Sequence, residues 1–220
     1  MNLTQSVYKH LRHLLSFDTQ DEASVANYCA VALVRAGFLV WLDEIGNLYG
    51  SHEVDNATLC LNAHLDARPE GIGADDRCGI AAILSAVEAE DRPVKVLLTT
   101  GEEIGGAGAA VVHRCWWWGA GLCASFDRHG NTDIITHYAG KQLASDEILQ
   151  RVFDVAYAGG MDPMRMASTS MADAHTFAEF VPAVNIATGF YREHSELETY
   201  DRADVAIAAD VARRLISEKW

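Results

Sequence analysis

Apolar positions recur at steps of three and four over residues 7–17 and again over 23–36, a period that predicts two N-terminal helices, the second closed by Gly37. The period then shortens to that of strands. Residues 38–42 and 47–50 flank the turn-forming Asp43-Glu44-Ile45-Gly46 and predict a hairpin, and 58–62 predicts a short apolar strand that delivers His64 at its C-terminal end. Beyond it, helical periodicity over 77–88, 106–114, 145–157, 172–180 and 202–217 alternates with extended apolar stretches at 94–99, 122–126, 133–138 and 183–188. Residues between the helix at 145–157 and the helix at 172–180 read as loop.

Strands alternating with helices predict an α/β fold of three layers, α/β/α, around a mainly parallel mixed sheet covered on both faces. Such sheets bind ligands beyond the C-terminal ends of their strands. His64, Glu102, Glu103 and Asp127 fall at those ends, and His194 follows the strand ending at Thr188 by a short loop. Residues far apart in sequence are therefore expected in one crevice.

Composition narrows the function. A chain of 220 residues, half of them hydrophobic, can bury one sizeable core, and a single catalytic domain over 1–220 is expected. A net charge of -14, from 17 Lys+Arg against 31 Asp+Glu, speaks against a nucleic-acid or anionic-membrane partner, and some of the acid is free to bind metal. Lys9, His10, Arg12 and His13 interrupt the first residues where a signal peptide needs an apolar run, and no later stretch is long and apolar enough to span a bilayer. Cys29, Cys60, Cys78, Cys115 and Cys123 are odd in number and form no CxxC pair, so they read as buried reduced thiols of a cytoplasmic protein.

Five short segments carry the chemistry. In His64-Leu65-Asp66 a metal-binding imidazole could give its other ring N–H to the acid two residues on. In Gly73-Ala74-Asp75-Asp76-Arg77-Cys78-Gly79 two adjacent acids open a helix, where a cation or the helix N-terminus would relieve their repulsion. Gly101-Glu102-Glu103-Ile104-Gly105-Gly106 follows an apolar strand, and paired carboxylates beside a metal can divide the work of ligand and base. Asp127 and His194 complete the series. Each has a plain structural reading by itself: Asp75 as a helix cap, Glu102-Glu103 as a solvated loop, Asp127 as the ion-pair partner of Arg128, and His194 as a surface histidine. Their joint order is what a structural reading fails to explain.

That order, His-x-Asp, Asp-Asp, Glu-Glu, Asp, His, resembles the dinuclear zinc peptidases of the aminopeptidase, peptidase T and carboxypeptidase G type, over nearly the whole chain from Thr58 to the last helix. The resemblance implies the zinc-exopeptidase (phosphorylase/hydrolase-like) architecture and a site of two divalent ions. Zinc is the expected metal, with manganese and cobalt as alternatives. By the same resemblance Asp75 would bridge both ions, His64 and Asp127 would complete one site, and Glu103 and His194 the other. Glu102 would be the general base that generates a metal-bound hydroxide, and Asp66 the partner of His64. The stretches between His64 and Asp75 and between Asp127 and His194 are too short for the lid or dimerisation domain that some of these enzymes insert.

The expected reaction is hydrolysis of an amide bond in a peptide or small amide, with aminopeptidase as the leading reading. A carboxypeptidase would need a positive clamp, which Arg128 or Arg192 could supply, and an N-acyl deacylase would use the same site. A non-catalytic scaffold that kept the fold is the third reading, and the retained Glu102 argues against it. Tyr191 and His175 are candidates for stabilising an oxyanion, Asp173 for lining the pocket next to a Ser170-Met171-Ala172-Asp173 step that also resembles these peptidases. A neighbouring subunit could also supply the oxyanion group, and Trp116-Trp117-Trp118 is expected to pack on the domain or on a second subunit, so a homo-oligomer is admitted.

Overall fold

The computed structural model describes residues 2–52, 56–169 and 171–220. Helix α1 (Leu3–Leu14) starts earlier than its apolar stripe because Asn2 and Gln5 form a capping box, and α2 (Glu22–Arg35) starts on the carboxylate of Asp21. The hairpin β1 (Leu39–Leu42) and β2 (Leu48–Ser51) follows as expected. Then come β3 (Leu59–His64), α3 (Ala74–Ala89), β4 (Lys95–Thr99), α4 (Ala107–Val111), a 3-10 turn (Arg114–Trp117), β5 (Leu122–Arg128) and β6 (Asp133–Tyr138). The chain ends with β7 (Lys141–Gln142), α5 (Asp146–Ala158), β8 (Met164–Ser168), α6 (Asp173–Phe177), β9 (Ala183–Ala187), β10 (Phe190–Tyr191), β11 (Thr199–Tyr200) and α7 (Arg202–Ser217).

Nine of these strands make one mixed sheet in the order β1-β2-β4-β3-β5-β9-β6-β7, with β8 pairing on β6. The central strands β4, β3, β5 and β9 run parallel and are buried along almost their whole length, while antiparallel pairs flank them. Helices α1, α2, α3, α5 and α7 pack the larger core on one face, through residues such as Leu11, Leu33, Ile83, Leu149 and Leu215. The other face carries a smaller core of Tyr49, Leu97, Trp116, Trp117 and Phe177 under α4, the 3-10 turn and α6. Two of the three consecutive tryptophans thus pack on the domain itself, and Trp118 is exposed.

The differences from the sequence reading have local causes. Strand β8 lies where a loop was expected, because it sits at the sheet edge with mostly exposed side chains and therefore lacks an apolar period. Strands β7, β10 and β11 are two residues each, too short to show one. The α4 helix stops at Val111 and hands over to the 3-10 turn, where the His113 ring accepts from the Cys115 amide. Cys29, Cys60, Cys78 and Cys123 are buried free thiols, but Cys115 is exposed, against the expectation for all five.

Helix α3 crosses β5 with no room for a side chain at Gly79, where a Cβ would overlap the Phe126 carbonyl oxygen and the Asp76 carboxylate. Both neighbours are fixed, one by the sheet and the other by its bond to the Gly79 amide. Gly79→Ala is therefore expected to cost about 1–3 kcal/mol of stability, read as a lower denaturant midpoint in urea.

Candidate metal centre

Three parallel strands place the first residues. His64 is the last residue of β3 and pairs with Thr99 at the end of β4; Asp127 lies near the end of β5. Between Ser125 and Arg128 the β5–β9 register slips by one residue, and the side chain of Asn185 takes over the ladder there, accepting from the Asp127 amide (3.0 Å) and donating to its carbonyl (2.9 Å). Asp127 is thus inside the strand, held by an amide side chain that no sequence pattern singles out.

Loops place the others. The Glu102-Glu103 loop turns back on itself with left-handed backbone at Gly101, Gly105 and Gly106, which explains the glycines that bracket the acids. Its two acidic residues are pinned by Asp66, whose carboxylate accepts from both the Glu102 and the Glu103 amides at 3.1 Å. Asp66 approaches His64 less closely than expected of a direct partner. The ring Nδ1 lies 2.9 Å from the Asp66 backbone carbonyl and 3.4 Å from its carboxylate. His194 stands in left-handed backbone (φ 59), a conformation that a non-glycine residue keeps only where its surroundings hold it.

Asp75 is set by a residue far along the chain. The buried carboxylate of Glu198 accepts from the amides of Ile72 (2.5 Å), Gly73 (2.8 Å) and Asp75 (2.9 Å), and a Cβ at Gly71 would overlap it. Asp75 and Asp76, joined by a cis peptide, depart from helical backbone at the start of α3. Asp76 is fully buried and accepts from the His64 amide (3.1 Å) and the Gly79 amide (3.1 Å), so it braces the site from below. Glu198→Ala would leave three backbone donors without their acceptor, two of them, at Gly73 and Asp75, buried, and a loss of about 2 kcal/mol or more is expected in thermal or denaturant melts.

These supports bring His64, Asp75 and Asp127 together as one group, and Asp75, Glu103 and His194 as another, with one donor atom from each residue of a group lying within 4.8 Å of the others. Asp75 belongs to both: Oδ1 is 3.1 Å from His64 Nε2, and Oδ2 is 3.3 Å from His194 Nε2. His194 Nε2 is also 2.9 Å from Glu103, and His64 Nε2 is 3.5 Å from Asp127. All five residues expected to ligate therefore converge, as does Glu102. The Glu102 carboxylate faces the same cleft, accepts no hydrogen bond among the described residues, and is pushed up to about 9 by burial and by the Asp127 charge.

The electrostatics describe a site that wants positive charge. Burial raises Asp127 to about 7, and raises Asp76 well above the carboxylate range. Burial works the same way on Asp75, but the two imidazoles outweigh it and hold that carboxyl at about 2. Conversely the Asp75 hydrogen bond lifts His194 to about 9, and three carboxylates lift His64 against its burial. Each group of carboxylate oxygens and one imidazole is a donor set suited to a divalent ion such as zinc, which would compensate the acids while leaving the rings neutral. The residues fit the metal that the sequence implied.

The cleft beside these residues has a volume of about 200 Å³, and Arg128, Ile135, His175, Phe190 and Glu193 contribute to its other walls. Of the two oxyanion candidates, His175, stacked on Tyr138, lines the cleft, whereas Tyr191 does not and gives its hydroxyl to Asp204. Arg192 is not among the lining residues. Asp173 lies beneath the cleft rather than in its wall, accepting from the Thr99 hydroxyl and pushed up to about 6 by burial, while Ser170 falls outside the described residues. Arg128 pairs with Asp133, not with Asp127.

The sequence profile of peptidase family M28 matches residues 45–215. No curated protein matches the chain. Among solved structures, the aminopeptidase PepT of Bacillus cereus superposes with a TM-score of 0.83 at 14% identity, covering 97% of this chain and 98% of that one. An aminopeptidase from the archaeon Desulfurococcus kamchatkensis gives 0.82 at 15% identity, with 99% and 96% covered. A Zn-dependent exopeptidase from Parabacteroides distasonis gives 0.78 at 16% identity, with 97% of each chain covered. At these identities the superpositions establish the α/β fold.

Proposed function

This chain belongs to peptidase family M28, and from that premise we propose that it is a dinuclear metal aminopeptidase, a single catalytic domain that removes N-terminal residues from short peptides. The observation that carries the reading is Asp75, which presents one carboxylate oxygen to each of two ligand groups. His64 and Asp127 would hold one divalent ion with it, Glu103 and His194 the other. Ions so held polarise a carbonyl and ease deprotonation of water, and oxygen and imidazole donors favour zinc for the task.

The chain's own residues supply the rest. Glu102, whose unengaged carboxylate faces the cleft and which bound cations would hold ionised against its burial, takes the proton of the attacking water on an Oε atom and delivers it to the departing amine. Asp66 keeps Glu102 and Glu103 in step by holding both amides. A cleft of about 200 Å³, below the ~300–1,000 Å³ of ordinary ligand pockets, has room for little more than one residue, which favours removal of a terminal residue over cleavage within a long chain. The acids that face the cleft offer the substrate ammonium a partner, which favours a free N-terminus over an N-acyl group. Four buried free thiols agree with a reducing, cytoplasmic setting, and among the described residues no helix is long and apolar enough to cross a membrane.

The test pairs elemental analysis of the purified protein with amine release from aminoacyl, peptidyl and N-acyl substrates, before and after chelation. About two zinc-like ions per chain and chelator-sensitive cleavage of substrates with a free N-terminus are expected. Preference for N-acyl substrates would replace the reading by a deacylase, and absence of both metal and turnover after reconstitution by a non-catalytic scaffold.

A further inference from the structure

We propose that Arg128 reads a carboxylate on the substrate, so that the cleft selects short peptides with an acidic group in a residue flanking the scissile amide. The inference rests on the peptidase reading above. Successive side chains of a strand point to opposite faces, so Asp127 and Arg128 would ordinarily not share a wall. The bulge between Ser125 and Arg128 changes that and puts both into the lining of one cleft.

The guanidinium is also fixed in place. Its Nε and Nη2 both donate to Asp133 Oδ2, at 3.2 and 3.1 Å, while Nη1 has no partner among the described residues. The outcome is an oriented cation with donors to spare, the arrangement that recognises a carboxylate with little ordering cost. Among the described residues that line the cleft, Arg128 is the sole arginine or lysine. His129 is engaged by Glu193 at 2.6 Å, and Arg68 is spent on Glu103 at 3.0 Å. The small volume confines the recognised group to a residue next to the bond: either the acidic side chain of the N-terminal residue, or the terminal carboxylate of a dipeptide.

The experiment compares kcat/KM of the metal-loaded protein on glutamyl, aspartyl and leucyl p-nitroanilides, and on Leu-Gly against leucyl-glycinamide, for the unaltered chain, Arg128→Gln and Arg128→Lys. Calorimetric titration with free glutamate and glutamine reads recognition apart from turnover. The unaltered protein is expected to favour the carboxylate-bearing member of one pair, and that pair identifies the source. Arg128→Gln should lose roughly 10- to 100-fold on that substrate while the neutral counterpart changes by less than about 3-fold. Arg128→Lys, which keeps the pairing with Asp133, should retain part of the preference. No preference in the unaltered protein, or equal loss on neutral and acidic substrates, overturns the proposal and leaves Arg128–Asp133 as a brace between β5 and β6. Cleavage of neutral amides alone would sink only this inference. Absence of all amide cleavage with Arg128-dependent glutamate binding intact would sink the peptidase reading instead.

Discussion

Glu102→Gln is expected to abolish turnover while metal content stays close to that of the unaltered protein. The two neighbouring acids of the Gly101–Gly106 loop differ in what their carboxylates touch. Glu103 is within 2.9 Å of His194 and 3.0 Å of Arg68, whereas the Glu102 carboxylate faces the cleft without a hydrogen-bond donor among the described residues. Its position is fixed through the backbone, by Asp66 accepting from its amide, so an isosteric amide side chain leaves the loop and both ligand groups in place. What is lost is a proton acceptor. Removal of a general base of this kind costs about 10²–10⁴-fold in rate. Steady-state kinetics on a free N-terminal substrate, beside elemental analysis of the same preparation, makes the comparison. Retained turnover would move the base elsewhere, and lost metal would make Glu102 a ligand.

That the Glu-Glu pair would sit on a tight loop beside the cleft could be anticipated from sequence, because it depends on adjacency and on glycines that permit such a loop. The same holds for His64 and Asp127, whose positions at strand ends follow from apolar runs that a buried parallel strand requires. The supports were not legible. Glu198 holds the amides of Ile72, Gly73 and Asp75 from more than a hundred residues away, and nothing in Ser195-Glu196-Leu197-Glu198 distinguishes it from a solvated acidic stretch. Asn185 reads as one polar residue in an apolar strand, and only the slip of β5 against β9 reveals why it is there. Asp66 was expected as the partner of His64, and its carboxylate does lie 3.4 Å from the ring, but it also accepts from the Glu102 and Glu103 amides, a cross-loop contact with no sequence period. Pattern reveals residues that share a local rule; residues joined only through tertiary contact leave no such trace.

Asp75→Asn is expected to empty both metal positions, whereas Asp127→Asn or His194→Ala should empty one. The asymmetry follows from the geometry. Asp127 lies near His64 and His194 near Glu103, but Asp75 sends one oxygen to each side, 3.1 Å from His64 and 3.3 Å from His194. Its carboxylate is the shared negative charge, and an amide of the same shape would keep the backbone bond to Glu198 while withdrawing that charge from both groups at once. The expected readings are close to two ions per chain in the unaltered protein, close to one in the single-side variants, and close to none in Asp75→Asn, with turnover falling below detection in the last. Glu198→Ala supplies the control, because it loosens the Asp75 backbone without touching its carboxylate: weaker binding of both ions, reversed by excess zinc, is expected there, and failure of excess zinc to restore Asp75→Asn separates a lost ligand from a misplaced one. Retention of one full ion by Asp75→Asn would mean that Asp75 serves a single position, and the two groups would then have to be read as one mononuclear site with acidic neighbours.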